Sequence, residues 1–241
     1  MTDNCYRLDQ IAASMREPVR VYTALIREVA GDRAKALTLF GSIVCGPFER
    51  ERHSVRSVLV VDRVDLPMLH RLAEHGARLG KAGMAAPLIM TPEYIKASLD
   101  TFPLELIEIK QGHLTLFGDE YFDDLQFVDA HIRLQCEREL KRLLVGLRQG
   151  LLAAAGREKL VGVLGRDLAE GLVRTLRGML WLEGERDFKP ASAVLEHAET
   201  LAKRALPGLR LALDPTARTG FGEFDSLYRD VETLGEIADA W

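Results

Sequence analysis

Leu39-Phe40-Gly41-Ser42, a polar loop, and then Ser54-Val55-Arg56-Ser57-Val58-Leu59-Val60-Val61 form the stretch on which the fold turns. The apolar run from Ala34 to Phe40 reads as a strand, and Gly41-Ser42 ends it in a tight turn. Arg56 to Val61 reads as a second strand. Its unbroken Val58-Leu59-Val60-Val61 predicts burial on both faces, which places it centrally in a sheet. Side chains at i and i+2 of a strand share a face, so Val55 and Ser57 are read as a pair.

Working outward, Val19, Tyr22, Leu25, Ile26 and Val29 recur at helical spacing and Gly31-Asp32 closes the run, predicting one or two helices with a break near Pro18. Leu66, Leu69, Leu72, Ala73, Gly76 and Leu79 fit a helix, Ala86 to Met90 a short strand, and Thr91-Pro92-Glu93 a capped helix start. Leu104 to Ile109 is expected to be another strand, followed by Leu114 to Phe117 and a turn at Gly118-Asp119. From Asp129 onward the apolar residues fall on a 3.6-residue period. Helices are expected to end near Gly156, to run from Leu160 to Leu182, from Pro190 to Leu206, and from Phe224 to Trp241, with Pro207-Gly208 and Asp214-Pro215 through Gly222 marking the longest irregular connection. The expected organisation is an α/β (α+β) domain with a mixed sheet over 1–125 and an all-α bundle over 126–241.

The Gly-Ser turn flanked by two apolar strands, with a helical second half, resembles the polymerase-beta-like nucleotidyltransferase superfamily, and within it the small bacterial enzymes with a C-terminal helical domain. In that superfamily the second strand reads Ser-Asp-x-Asp-Leu-x-Val, and its two aspartates jointly hold divalent metal. Val55 and Ser57 stand at those two positions here. Mg²⁺ needs hard oxygen ligands, and nucleotidyl transfer needs the metal to neutralise charge on the phosphate, so an aliphatic side chain and a hydroxyl remove the chemistry. The resemblance leaves Gly41 and Ser42 as a phosphate-approaching turn, with Ser57, Arg56 and Arg52 as assisting nucleotide-binding residues.

The superfamily carries a third carboxylate on a later strand, and Glu105 is the positional match, with Glu108 assigned to the opposite face by strand parity. A strand-end glutamate paired with a basic neighbour is the competing reading. Glu49, Glu51, Asp62 and Asp65 are further carboxylates near the relevant loop and strand. Arg50, Arg52, His53 and Arg56 make that loop locally basic; the alternative is a solvated loop whose Glu49-Arg50-Glu51-Arg52 charges cancel. His131, Gln135 and Glu139 lie at i, i+4 and i+8 of the first bundle helix, and Glu139 or Glu137 resembles the general base that such helices present in antibiotic nucleotidyltransferases. A water-facing stripe is the alternative.

Composition narrows the partners. With 241 residues, 47% hydrophobic content and a formal charge of −4, the chain has ample core material and no broad basic surface, so nucleic acid is not an expected partner. Cys5, Cys45 and Cys136 are odd in number and widely spaced, which predicts reduced thiols rather than a disulfide frame or a zinc ribbon. No apolar run approaches the roughly 18 residues that span a bilayer, so no membrane and a cytoplasmic location are expected. The functional expectation is an inactive nucleotidyltransferase-like protein that retains nucleotide or phosphate binding or a regulatory role. No metal or cofactor is expected, and Mg²⁺ only if the protein is active. The alternatives are an active nucleotidyltransferase with displaced carboxylates, modifying a small molecule or a protein, and a structural module that binds a protein partner or dimerises through the bundle.

Overall fold

The computed structural model describes residues 7–46, 48–49, 53–214, 216–217 and 220–241, with backbone alone for 166–170. The chain divides into two units, one formed by Met1–Leu99 with Leu106–Gln126 and the other by Asp100–Glu105 with Phe127–Trp241. Among the described residues no helix is long and apolar enough to cross a membrane.

In the first unit α1 (Ala13–Ala30) leads through a 3-10 turn into β1 (Ala34–Phe40), the four-residue α2 (Ser42–Cys45) and β2 (Arg56–Val61). Helices α3 (Leu66–Glu74) and α4 (Gly76–Lys81), strand β3 (Leu88–Met90), helices α5 (Pro92–Ala97) and α6 (Pro103–Gln111, its first three residues counted with the second unit), and strand β4 (His113–Gly118) follow. The sheet order is β3-β2-β1-β4; β1 is antiparallel to both β2 and β4, and β2 is parallel to β3. This is the mixed sheet expected. β1 and β2 have the expected bounds, and Val58 to Val61 are fully buried in an inner strand. Thr91 caps α5 through Tyr94 N–H, with Pro92 at the first helical position.

Three expectations fail locally. Pro18 does not break α1, because it sits early in the helix, forfeits only one backbone bond, and is outweighed by the buried Met15, Val19, Tyr22 and Ile26. The single helix expected between Leu66 and Leu79 is two, since α3 ends at Glu74 and α4 begins at Gly76. Leu104 to Ile109 is not a strand but the body of α6. Leu104, Leu106, Ile107 and Ile109 are all buried, so this short helix is apolar on several sides and lacks the stripe that betrays a helix in sequence. Pro103 starts it without needing a donor, and the Gln135 side chain accepts the Leu104 N–H at 2.9 Å.

The second unit holds α7 (Asp129–Ala154), α8 (Glu158–Leu182), α9 (Ala191–Ala202), α10 (Pro207–Leu213) and α11 (Phe221–Asp239). The short α10 occupies the segment read as irregular, again opened by a proline at its first position. The expected third helix stops at Ala202, where Lys203 takes a left-handed conformation. Asp230 of α11 fastens this region. It is fully buried, accepts the Leu209 N–H at 3.0 Å, and meets the Arg204 guanidinium at 3.1 Å. Burial pushes its carboxyl above the ordinary range, only partly offset by the Leu209 and Gly208 N–H groups and Arg204.

Asp230→Ala is expected to cost about 2–3 kcal/mol in urea denaturation, because it strands buried donors. A raised carboxyl binds its proton more tightly folded than unfolded, so its contribution is present in full in acid and is lost as pH rises through the raised value. The stability of the wild type relative to Asp230→Asn should therefore increase as pH falls through that window.

Candidate functional site

The turn at the end of β1 requires glycine. Gly41 has φ 81°, its N–H donates to Gly112 O at 3.1 Å, and its carbonyl accepts from Val44 N and Cys45 N at 2.9 and 3.1 Å. A side chain there would collide with the Arg56 guanidinium, which lies directly against the turn. Arg56 opens β2 opposite Phe40, and its guanidinium covers the Phe40 ring 4.6 Å from the centroid. Its two terminal nitrogens fork onto Glu108, donating to Oε2 at 3.1 Å and to Oε1 at 2.6 Å. The Glu108 side chain is only 6% exposed. A buried carboxylate thus holds a permanent cation over Gly41.

Val55 and Ser57 face away from this arrangement. Both are 1% exposed. Val55 lies in the apolar cluster with Tyr22, Ile26, Leu39 and Leu59, and its backbone pairs with the chain beside Met84. The Ser57 hydroxyl is 2.7 Å from the Tyr22 hydroxyl of α1, whose phenol is pushed up to about 12 by burial against the lowering effect of that bond. The pair read as the two vacated acid positions therefore shares a face, but that face is the core beneath α1. Ser57, expected to assist a nucleotide, is committed to packing.

The opposite face of the sheet is mixed, with polar side chains beside the buried Ala36, Val58 and Val60. Residues paired across strands point the same way, so Phe40, Arg56 and His113 share it, as do Thr38 and Thr115. The Thr38 and Thr115 hydroxyls are 3.0 Å apart, and Thr115 donates to Glu120 at 2.6 Å. Burial pushes the Glu120 carboxyl up, but the Thr115 hydroxyl, the Phe122 and Tyr121 N–H groups and His113 together hold it below the usual carboxylate range.

The remaining expected residues are dispersed. Glu105 is on a helix, not a strand, so its assignment by strand parity falls; in the second unit it accepts from Gln135 at 2.9 Å and pairs with Arg174 at 3.2 Å. Glu108, set aside by the same parity argument, is the glutamate that meets Arg56. Gln135 is buried rather than part of a solvent stripe, while Glu139 lines an open groove of about 880 Å³ between α7 and α8, beside Arg138 and Arg142. Arg52, with Arg50 and Glu51, lies outside the described residues. Ser42 is the first residue of α2 and half-buried.

A catalytic magnesium pair does not fit this set of donors. Two of the three positions assigned to metal-binding acids look into the apolar core, the third carboxylate is held by Arg174, and a guanidinium already lies against the turn.

No family model matches the chain, and no curated protein does. Among solved structures it is similar to the spectinomycin adenyltransferase AAD(9) from Enterococcus faecialis, crystallised with ATP and spectinomycin, with a TM-score of 0.59 and 10% identity over 92% of this chain and 98% of that one. The likeness covers both halves and shows a nucleotidyltransferase-like fold.

Proposed function

We propose that this protein carries the nucleotidyltransferase-like fold without metal-dependent transfer, and binds nucleotide weakly through its phosphates at Gly41, Ser42 and Arg56. The observation that carries the reading is the Arg56 guanidinium, forked onto Glu108 against the Gly41 turn. A guanidinium recognises phosphate by the same planar geometry with which it takes a carboxylate. Glu108 and a phosphate group then compete for one cation, so affinity is low and a metal bridge is not needed. An active transferase that uses Glu105 and a displaced carboxylate is the less favoured reading, since Glu105 is already engaged by Gln135 and Arg174.

Calorimetry with ATP, GTP and CTP tests this. Binding is expected to be weak, unchanged by Mg²⁺, and tightened about tenfold by Glu108→Gln, which removes a competing charge worth about 1.4 kcal/mol. Arg56→Ala should abolish it. Transfer of label from an α-³²P nucleotide, or a strong Mg²⁺ dependence of binding, would overturn the proposal.

A further inference from the structure

His113, Glu120 and Asp123 bring three donor atoms together beside β4, all within 4.8 Å of one another. The His113 side chain is nine-tenths buried, with its ring edge-on to Phe122 at 5.7 Å between centroids. Its Nδ1 is 3.0 Å from the carbonyl oxygen of Ile109. A carbonyl has no proton to give, so Nδ1 carries the ring hydrogen. Nε2 is then aimed at two carboxylates, 3.0 Å from Glu120 Oε1 and 3.5 Å from Asp123 Oδ1. In a neutral imidazole that nitrogen is a lone pair, so it joins the two carboxylate oxygens as a third acceptor, a set that a cation among them would satisfy, with Glu120 Oε1 also accepting from the Tyr121 and Phe122 N–H groups.

A second ring proton would meet the need of one carboxylate, but two converge here. An imidazole whose far nitrogen is fixed on a backbone carbonyl is the arrangement that orients a metal-binding histidine. Donors about 2.0–2.2 Å from a tetrahedral ion stand roughly 3.3–3.6 Å from one another; the two separations from Nε2 are 3.0 and 3.5 Å, and the two carboxylate oxygens lie within 4.8 Å of each other. Glu120 is also held in place, since it accepts from Thr115 Oγ1, Tyr121 N and Phe122 N. Lys110 fixes the loop from another side by donating to the carbonyls of Asp123 and Leu125, both at 2.7 Å. The Asp123 side chain is 69% exposed and leaves an entry path.

We propose that His113, Glu120 and Asp123 form a site for a borderline transition-metal dication of the Zn²⁺ class. One imidazole with two carboxylates suits Zn²⁺ first and Mn²⁺ more weakly, whereas Mg²⁺ and Ca²⁺ prefer all-oxygen shells. None of Gly41, Ser42, Val55 or Ser57 takes part, so this site is separate from the phosphate-binding reading and stands or falls independently of it. Its effect is to tie the loop after β4 to the face of the sheet that carries Thr38 and Thr115.

The test uses the full chain after chelator treatment, titrated with Zn²⁺ by calorimetry and with Co²⁺ for its visible absorption. One Zn²⁺ per chain is expected, with the melting temperature raised by roughly 5 °C at a hundredfold excess over Kd and no response to Mg²⁺. His113→Ala and Asp123→Asn should each weaken binding at least tenfold, while His197→Ala leaves it unchanged. Asp123 is exposed, so its variant tests the proposal without endangering the fold. Absence of Zn²⁺ binding, or binding that survives both substitutions, overturns the proposal.

Discussion

Writing the superfamily's acid pair into this chain, as Val55→Asp/Ser57→Asp, is expected to lower stability by on the order of 5 kcal/mol and to produce no Mg²⁺ or Mn²⁺ site. Both side chains are 1% exposed and face the core beneath α1, so each new carboxylate would be desolvated among Tyr22, Ile26, Leu39 and Leu59. A loss of that size rivals the whole stability of an ordinary domain, and most of the protein should unfold. Ser57→Asp alone keeps the experiment informative, because the Tyr22 hydroxyl can donate to the new acid; about 2–3 kcal/mol is expected there. A buried acid has a raised folded pKa, so its penalty shrinks in acid and is full at neutral pH. Urea denaturation followed by circular dichroism measures the stability, and calorimetry the metal. A double variant that keeps the wild-type midpoint and binds Mn²⁺ would show that β2 presents the other face.

Gly208→Ala carries the second large effect, about 3 kcal/mol or more, read as a fall of roughly 6–12 °C in melting temperature. A Cβ on Gly208 would run into the backbone at Ser226 and Leu227, where α10 crosses α11. Neither helix backbone can step aside without disturbing the Asp230 bonds that join them. Gly146→Ala makes the control, since Gly146 lies within α7 with open space around its missing Cβ. It should be neutral, or stabilising by up to about 1 kcal/mol, through helix propensity. Equal melting of the two variants would refute the close crossing.

The legible parts of the fold were those in which burial and periodicity agree. β1 and β2 are predominantly apolar segments, the first ended by Gly41, and their bounds follow from that pattern. The long helices of the second half show a one-sided period because one side of each meets solvent. Leu104 to Ile109 misleads for the opposite reason: buried on several sides, it has no one-sided period, and its short apolar run reads as a strand. Weighing Pro103 as a first helical position was the available signal. Likewise Pro207 could have announced α10.

The site was less legible than the fold. Sequence spacing fixes that Val55 and Ser57 share a face but not which face, because that depends on where α1 packs. Nor does any helix or strand period link His113 to Glu120 and Asp123, since a loop brings them back to β4. Glu108 was hidden by the misread helix, and with it the Arg56 fork.

The cation lodged over Gly41 also sets a direction for descent. On the reading proposed above, a lineage with this arrangement would not acquire metal-dependent transfer through one codon change, because the guanidinium must be removed, Glu108 given another partner, and acids introduced on the side of β2 now occupied by Arg56 and Val58. Each intermediate would carry a lone buried charge at a cost of several kcal/mol, comparable with the margin that keeps a domain folded. On that reading the way back to transfer would run through poorly folded intermediates.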